Sequence, residues 1–111
     1  MKNFFRYIFL VFTFSNMYSQ TDLELENKIQ EVDRLAFSNP DSALLVIQKL
    51  EAKIDDSRMT SKLLLAKGSA YSVKHLSSAA IENGFDAYDI AQQAKDSLMM
   101  INSLGFIGNQ Y

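Results

Sequence analysis

Apolar residues recur at helical spacing through most of the chain after residue 20, and they predict an all-α protein. Thr21 to Glu24 has the form of a capping box and should begin the first helix. The segment Ser38-Asn39-Pro40 ends this helix and begins the next, because Asn39 suits an N-cap and proline loses no hydrogen bond at the first helical position. The second helix is expected from Pro40 to about Ile54, packed antiparallel to the first as a hairpin. The apolar stripe of the first helix is Leu25, Ile29, Val32 and Ala36, and that of the second is Ala43, Ile47, Leu50 and Ile54.

Three more helices are predicted in the second half of the chain. The third is long, from about Arg58 to Glu82, with a weak point at Leu76-Ser77-Ser78 where it kinks or stops. Asn83-Gly84 is expected to form a C-terminal cap and turn. A fourth helix follows from Phe85 to about Lys95, and Asp96-Ser97 caps a fifth. The residues of the fifth helix expected to point inward are Leu98, Ile101, Leu104 and Tyr111.

The sequence repeats itself with an offset of forty residues. Residues 56–71 read DSRMTSKLLLAKGSAY, and residues 96–111 read DSLMMINSLGFIGNQY. The same offset aligns Ile47, Leu50 and Ile54 of the predicted second helix with Ala87, Ile90 and Ala94 of the predicted fourth. Self-similarity at such a period is typical of stacked-repeat proteins. The identical pairs are Asp56/Asp96, Ser57/Ser97, Met59/Met99, Leu64/Leu104, Gly68/Gly108 and Tyr71/Tyr111.

Two Gly-x-x-Tyr segments and an alanine pattern resemble the tetratricopeptide-repeat family, here in a forty-residue variant. The resemblance covers roughly residues 41–111 and implies antiparallel helix hairpins stacked as a short α-solenoid, in a helical repeat region that spans residues 20–111. It also implies that the glycine permits close helix contact and that the tyrosine fills the space between hairpins. The first helix departs from the family because it lacks Gly-x-x-Tyr, and the predicted third helix is longer than the family's usual one. The residues expected to pack the repeats are Gly68, Tyr71, Ala87, Ala91, Ala94, Gly108 and Tyr111.

Residues 1–19 have the order of features of a secretory signal peptide. Lys2 and Arg6 give a positive start, an apolar core follows, and Ser19 is a small residue suited to the last position before cleavage, with Ser15 as the alternative. The apolar core is too short for a membrane span of about 20 residues. We therefore expect export to the periplasm or cell envelope. The other interpretation of this segment is a first amphipathic helix or an uncleaved anchor.

Composition and motifs give no indication of catalysis. Cysteine is absent and His75 is the single histidine, so neither a thiolate nor a His-rich metal site is expected. Asp55-Asp56 is better explained as a turn and cap than as a cation site. The chain after the leader has 9 basic and 13 acidic residues with no basic stripe, which argues against nucleic-acid binding. We expect no enzyme, no cofactor and no metal.

Stacked repeats present a surface, and a protein or peptide partner is therefore expected. The fifth helix has no hairpin partner after it, which predicts either that the working protein is longer or that a second copy covers this helix. One hypothesis is an interaction or sensing scaffold that forms the extracytoplasmic, amino-terminal part of a bacterial signalling or transcription regulator. The alternative is a stand-alone exported binding or assembly protein. Reading the DNA beyond the last codon distinguishes these two.

Overall fold

The computed structural model describes residues 23–111, and within this range the regular structure is entirely helical. We number the helices α1 (23–38), α2 (Pro40–Glu51), α3 (Ser57–Val73), α4 (Ser77–Gln93) and α5 (Ser97–Asn109). The predicted signal peptide and Thr21 of the predicted capping box lie outside the described residues. No helix in the described part has the length and hydropathy needed to cross a bilayer.

The α1–α2 hairpin follows the prediction closely. The Asn39 side chain accepts a hydrogen bond from the Ser42 amide at 3.3 Å, and Pro40 occupies the first turn of α2. One face of each helix is buried against α3, which forms the main core with them. However, α2 ends at Glu51 and not at Ile54, because the chain must become extended before Asp56, the N-cap of α3. The buried residues of this core are Ile29, Val32, Ile47, Leu50, Met59, Leu63 and Ala66, with Ala36, Ala43 and Ala70 in a second cluster.

The predicted long helix from Arg58 to Glu82 is wrong, because the chain forms two helices there. The break lies one residue before the predicted weak point, at His75, which adopts a left-handed backbone conformation with φ of 63°. The His75 amide donates to Ser72 O at 3.0 Å and the Leu76 amide to Tyr71 O at 2.9 Å. This pair of hydrogen bonds is the Schellman motif that ends many helices.

The predicted turn at Asn83-Gly84 is also wrong, and so is the predicted start of a helix at Phe85. Both segments lie inside α4, and the Asn83 side chain donates back to Ala79 O at 2.8 Å. Gly84 is buried where α5 approaches, since a Cβ there would stand 2.7 Å from Ile107 Cγ1. The glycine therefore permits close helix packing and does not end the helix.

Helix α4 ends in the same way as α3. Lys95 has a φ of 55°, its amide donates to Gln92 O at 3.1 Å, and the Asp96 amide donates to Ala91 O at 2.9 Å. As a result α3, α4 and α5 begin at Ser57, Ser77 and Ser97. The forty-residue sequence repeat consists of two 17-residue helices, each followed by a three-residue connection.

Helix α3 is the centre of the described structure, because it packs against α2, α4 and α5. Its contact with α4 includes a hydrogen bond from the buried Ser61 Oγ to Ala87 O at 3.2 Å. Its contact with α5 occurs at Gly68, where a Cβ would stand 2.7 Å from Cζ of Phe106. Small residues on α3 and α4 thus make room for the large side chains of α5.

Candidate interaction surface

The seven residues expected to pack the repeats lie in different environments. Gly68, Ala87 and Ala91 are buried, and Tyr71 is half-buried beside α2. Ala94, Gly108 and Tyr111 are exposed, Tyr111 to 89%. The exposed members are at or near the ends of α4 and α5. Gly108 and Tyr111, which belong to the second of the two sequence repeats, have no helix beside them among the described residues.

The inward face predicted for α5 is wrong. Leu98, Ile101 and Leu104 point to solvent and are 56%, 67% and 52% exposed. The face turned inward carries Met99, Ser103 and Ile107, together with the half-buried Phe106. That face is chosen because Phe106 and Ile107 meet the glycines of α3 and α4. A helix that is apolar on all sides is normally buried on all sides, and α5 is not.

The outward residues of α5 form one continuous stripe, which we call the α5 outer face: Leu98, Ile101, Leu104, Gly105 and Gly108. Their spacing of three and four residues places them on one side of the helix. No Asp, Glu, Lys or Arg occurs from residue 97 to residue 110. A Cβ at Gly105 or Gly108 would find nothing within 4 Å.

Part of the α5 outer face corresponds to a surface of α3 that is covered. On α3, Ser61 and Gly68 are buried and lie against the backbone of α4, at Ala87 O and Ala80 O. Forty residues on, the same positions are Ile101 and Gly108, and both are exposed. The repeat therefore identifies the α5 outer face as the counterpart of a surface on which a helix packs.

An ion pair joins the starts of α3 and α5 at the edge of this face. Arg58 Nε donates to Asp96 Oδ2 at 2.7 Å and Nη2 donates to Asp96 Oδ1 at 2.9 Å. These hydrogen bonds from Arg58 lower the pKa of the Asp96 carboxyl, and the same contact raises the pKa of Arg58. Asp96 also accepts from the Met99 amide and so caps α5. The residue that takes the place of Arg58 on α5 is Leu98, an apolar residue.

A cleft of about 290 Å³ lies between α2 and α3. Lys67 Nζ and Glu51 Oε1 are 3.2 Å apart within its lining, so these two charges are paired with each other. The lining residues of the cleft are Leu44, Ile47, Gln48, Glu51, Lys67 and Tyr71.

No group of three or more histidine or carboxylate side chains that could hold a metal occurs among residues 23–111. In the same range, every buried side-chain nitrogen or oxygen has a hydrogen-bond partner. His75 is exposed at the end of α3, where its backbone conformation terminates the helix.

Two features of this surface were not predicted from the sequence. Gly105 is not among the residues predicted to pack the repeats, although Ile101, Gly105 and Gly108 follow a four-and-three spacing that marks a single helix face. The pairing of Arg58 with Asp96 has no local signal, because the two residues are 38 positions apart.

Comparison with protein-family models, with curated proteins and with solved structures gave no match.

Proposed function

We propose that this protein is an interaction scaffold built from tetratricopeptide-like helix pairs, and that it acts by binding another protein chain. The support for a repeat architecture is the recurrence of one unit: an Asp or Leu cap, a 17-residue helix and a Schellman ending. The contact of α3 with α5 supports it as well, since alternate helices of stacked hairpins touch each other.

The single observation that carries the proposal is the α5 outer face. Three large apolar side chains on it, Leu98, Ile101 and Leu104, are each more than half exposed. A contiguous exposed apolar patch without charge marks a site of association more often than one of chemistry. Two positions of this face, Ile101 and Gly108, correspond to Ser61 and Gly68 on α3, which lie against a helix, and this favours a helical protein segment as the ligand.

The cellular setting is part of the same proposal and rests on the sequence. The leader favours a place outside the cytoplasm, and the family resemblance favours the sensory part of a signalling regulator. A stand-alone exported binding protein uses the same surface and differs only in having no signalling output.

Photocrosslinking in cells tests the proposal. Benzoylphenylalanine is introduced at Leu104 on the α5 outer face, and in a matched variant at Leu45, which is 63% exposed on α2. We expect irradiation to give a covalent adduct with a protein from position 104 and little from position 45. The absence of protein adducts from position 104 contradicts an interaction role for this face.

A further inference from the structure

We propose that the α5 outer face binds the same face of a second copy of this protein, with the two α5 helices antiparallel about a two-fold axis between Leu104 and Gly105. This inference rests on the proposed interaction role and names the partner. The argument uses the exposure, size and charge of five residues.

The face is complementary to itself in size. In an antiparallel pair with its axis between residues 104 and 105, Ile101 of one copy faces Gly108 of the other, and Leu104 faces Gly105. Both glycines leave open space, because a Cβ at either would meet nothing within 4 Å. Ile101 and Leu104 therefore lie opposite gaps on the partner helix, while Leu98 lies opposite Tyr111, just beyond the end of α5. A two-fold interface requires this reciprocity, since residue i contacts residue j and residue j contacts residue i.

The face is also free of the charges that oppose pairing of identical surfaces. Like charges brought together by a two-fold axis destabilise the contact. None of residues 97–110 is charged, whereas the described part of α1, at the opposite end of the helix order, carries Glu24, Glu26, Lys28, Glu31, Asp33 and Arg34. Pairing α5 with α5 therefore fits better than pairing α5 of one copy with α1 of the next.

The expected dimer is weak. A 13-residue helix is about 20 Å long, and two such helices bury less than the roughly 800 Å² per partner of a standard interface. Because so small an interface leaves little free energy once the cost of association is subtracted, we expect a dissociation constant on the order of 10–100 µM.

Sedimentation equilibrium of the purified protein, in the form in which cells produce it, measures this association. We expect a reversible monomer–dimer equilibrium that the Ile101→Asp change weakens at least about tenfold, a loss of about 1.4 kcal/mol. Leu45→Asp is the matched control, because Leu45 is nearly as exposed but lies on α2, and it should leave the equilibrium unchanged. Gly108→Leu fills the gap opposite Ile101 and should also weaken the dimer while circular dichroism shows an intact helical fold.

Cysteine crosslinking tests the antiparallel geometry, since the natural chain has no cysteine. Under mild oxidation, a mixture of Ile101→Cys and Gly108→Cys proteins should form a disulfide-linked heterodimer, and Leu104→Cys should link to itself near the axis. The Ile101→Cys protein alone should not form a disulfide-linked dimer. In the antiparallel pair the two residues 101 lie about 10 Å apart along the helices, which is beyond the span of a disulfide.

A protein that stays monomeric up to roughly 500 µM, well above the expected micromolar dissociation constant, overturns the inference. So does efficient self-linking of Ile101→Cys, which indicates parallel helices. If the protein is monomeric but position 104 still crosslinks to a different protein in cells, the interaction role stands and the second copy is the wrong partner. If the protein is monomeric and position 104 gives no crosslink to any protein in cells, the interaction role fails as well.

Discussion

The ring of Phe106 on α5 lies against Gly68 on α3, so closely that a Cβ on residue 68 would stand 2.7 Å from Cζ of the ring. The carbonyl oxygen of Ala80 on α4 would be 3.2 Å away on another side. Three helices therefore meet at one glycine. Forty residues later in the sequence, Gly108 occupies the same repeat position with open space around it.

Alanine at these two glycines should have opposite effects on stability. Gly68→Ala forces Phe106 or the α3–α4 contact to shift, and we expect a loss of about 1–3 kcal/mol in the free energy of unfolding. Gly108→Ala meets no neighbour and improves helix propensity, so we expect a gain of up to about 1 kcal/mol. Urea denaturation of both variants, at a concentration where the protein is monomeric, measures the difference. A loss of similar size for both would show that something covers Gly108 in the monomer.

Asparagine at residue 96 should make stability less dependent on pH. The lowered pKa of Asp96 means that the folded state holds the ionised carboxylate more strongly than the unfolded chain does. The contribution is therefore complete above the ordinary aspartate pKa of about 3.9 and is lost as the pH falls through the lower, folded-state pKa. Asp96→Asn keeps a good N-cap for α5 but loses the ionic contact with Arg58.

We expect Asp96→Asn to be less stable than the natural protein at pH 7, with a smaller difference near pH 3. Asp56→Asn is the control, because Asp56 caps α3 in the same manner. Within residues 23–111 it accepts no side-chain hydrogen bond from an arginine, and it acts on Arg58 only through its charge, which contributes less to the raised pKa of Arg58 than Asp96 does. Thermal melts at both pH values compare the two. Equal pH dependence in the two variants would contradict a stabilising role for the Arg58–Asp96 pair.

Glycine at the two left-handed positions should stabilise the fold. His75 and Lys95 have φ values of 63° and 55°, a conformation that costs residues with a side chain roughly 1–2 kcal/mol. Glycine removes this cost but loses more entropy on folding, so His75→Gly and Lys95→Gly should each gain a few tenths to about 1 kcal/mol. His75→Val is the contrasting variant, since a β-branched residue is strained there and should destabilise. Denaturant melts at neutral pH report all three, and a loss in both glycine variants would rule out the left-handed helix ending.

Cleavage of the leader predicts a defined amino terminus. If residues 1–19 are a signal peptide, the protein recovered from the cell envelope or the medium should begin at Gln20, or at Asn16 if cleavage follows Ser15. Intact-mass measurement distinguishes these two forms from the uncleaved chain. Recovery of the uncleaved chain from the cytoplasm alone contradicts export.

Much of the helical structure could be predicted from local sequence. Asn39-Pro40 and Asp96-Ser97 each combine a capping side chain with a helical stripe, and both mark helix starts in the structure. The boundary between α3 and α4 could not be placed, because histidine adopts the left-handed conformation more often than most residues but far too rarely for one histidine to identify a helix end. At Asn83-Gly84 the error was the reverse, because a helix end was predicted where none exists. A glycine that permits close packing looks the same in sequence as one that ends a helix.

The candidate surface was predictable in part. The repeat predicted that a further helix or a second copy of the protein packs against α5, but apolar residues lie on both faces of α5, and periodicity alone could not determine which face turns inward. The choice depends on tertiary contacts, in which Phe106 and Ile107 fit against Gly68 and Gly84.

The central claim is that the α5 outer face is a protein-binding surface. The accessibility of this face in cells tests that claim most directly. Single cysteines are placed at Ile101 and, as a control of similar exposure, at Leu45. The rate of maleimide labelling is then measured in intact cells and with the purified protein at high dilution. The account predicts that residue 101 is protected in cells and reacts freely when diluted, while residue 45 reacts equally in both. Equal labelling of residue 101 in cells and in dilute solution would contradict it.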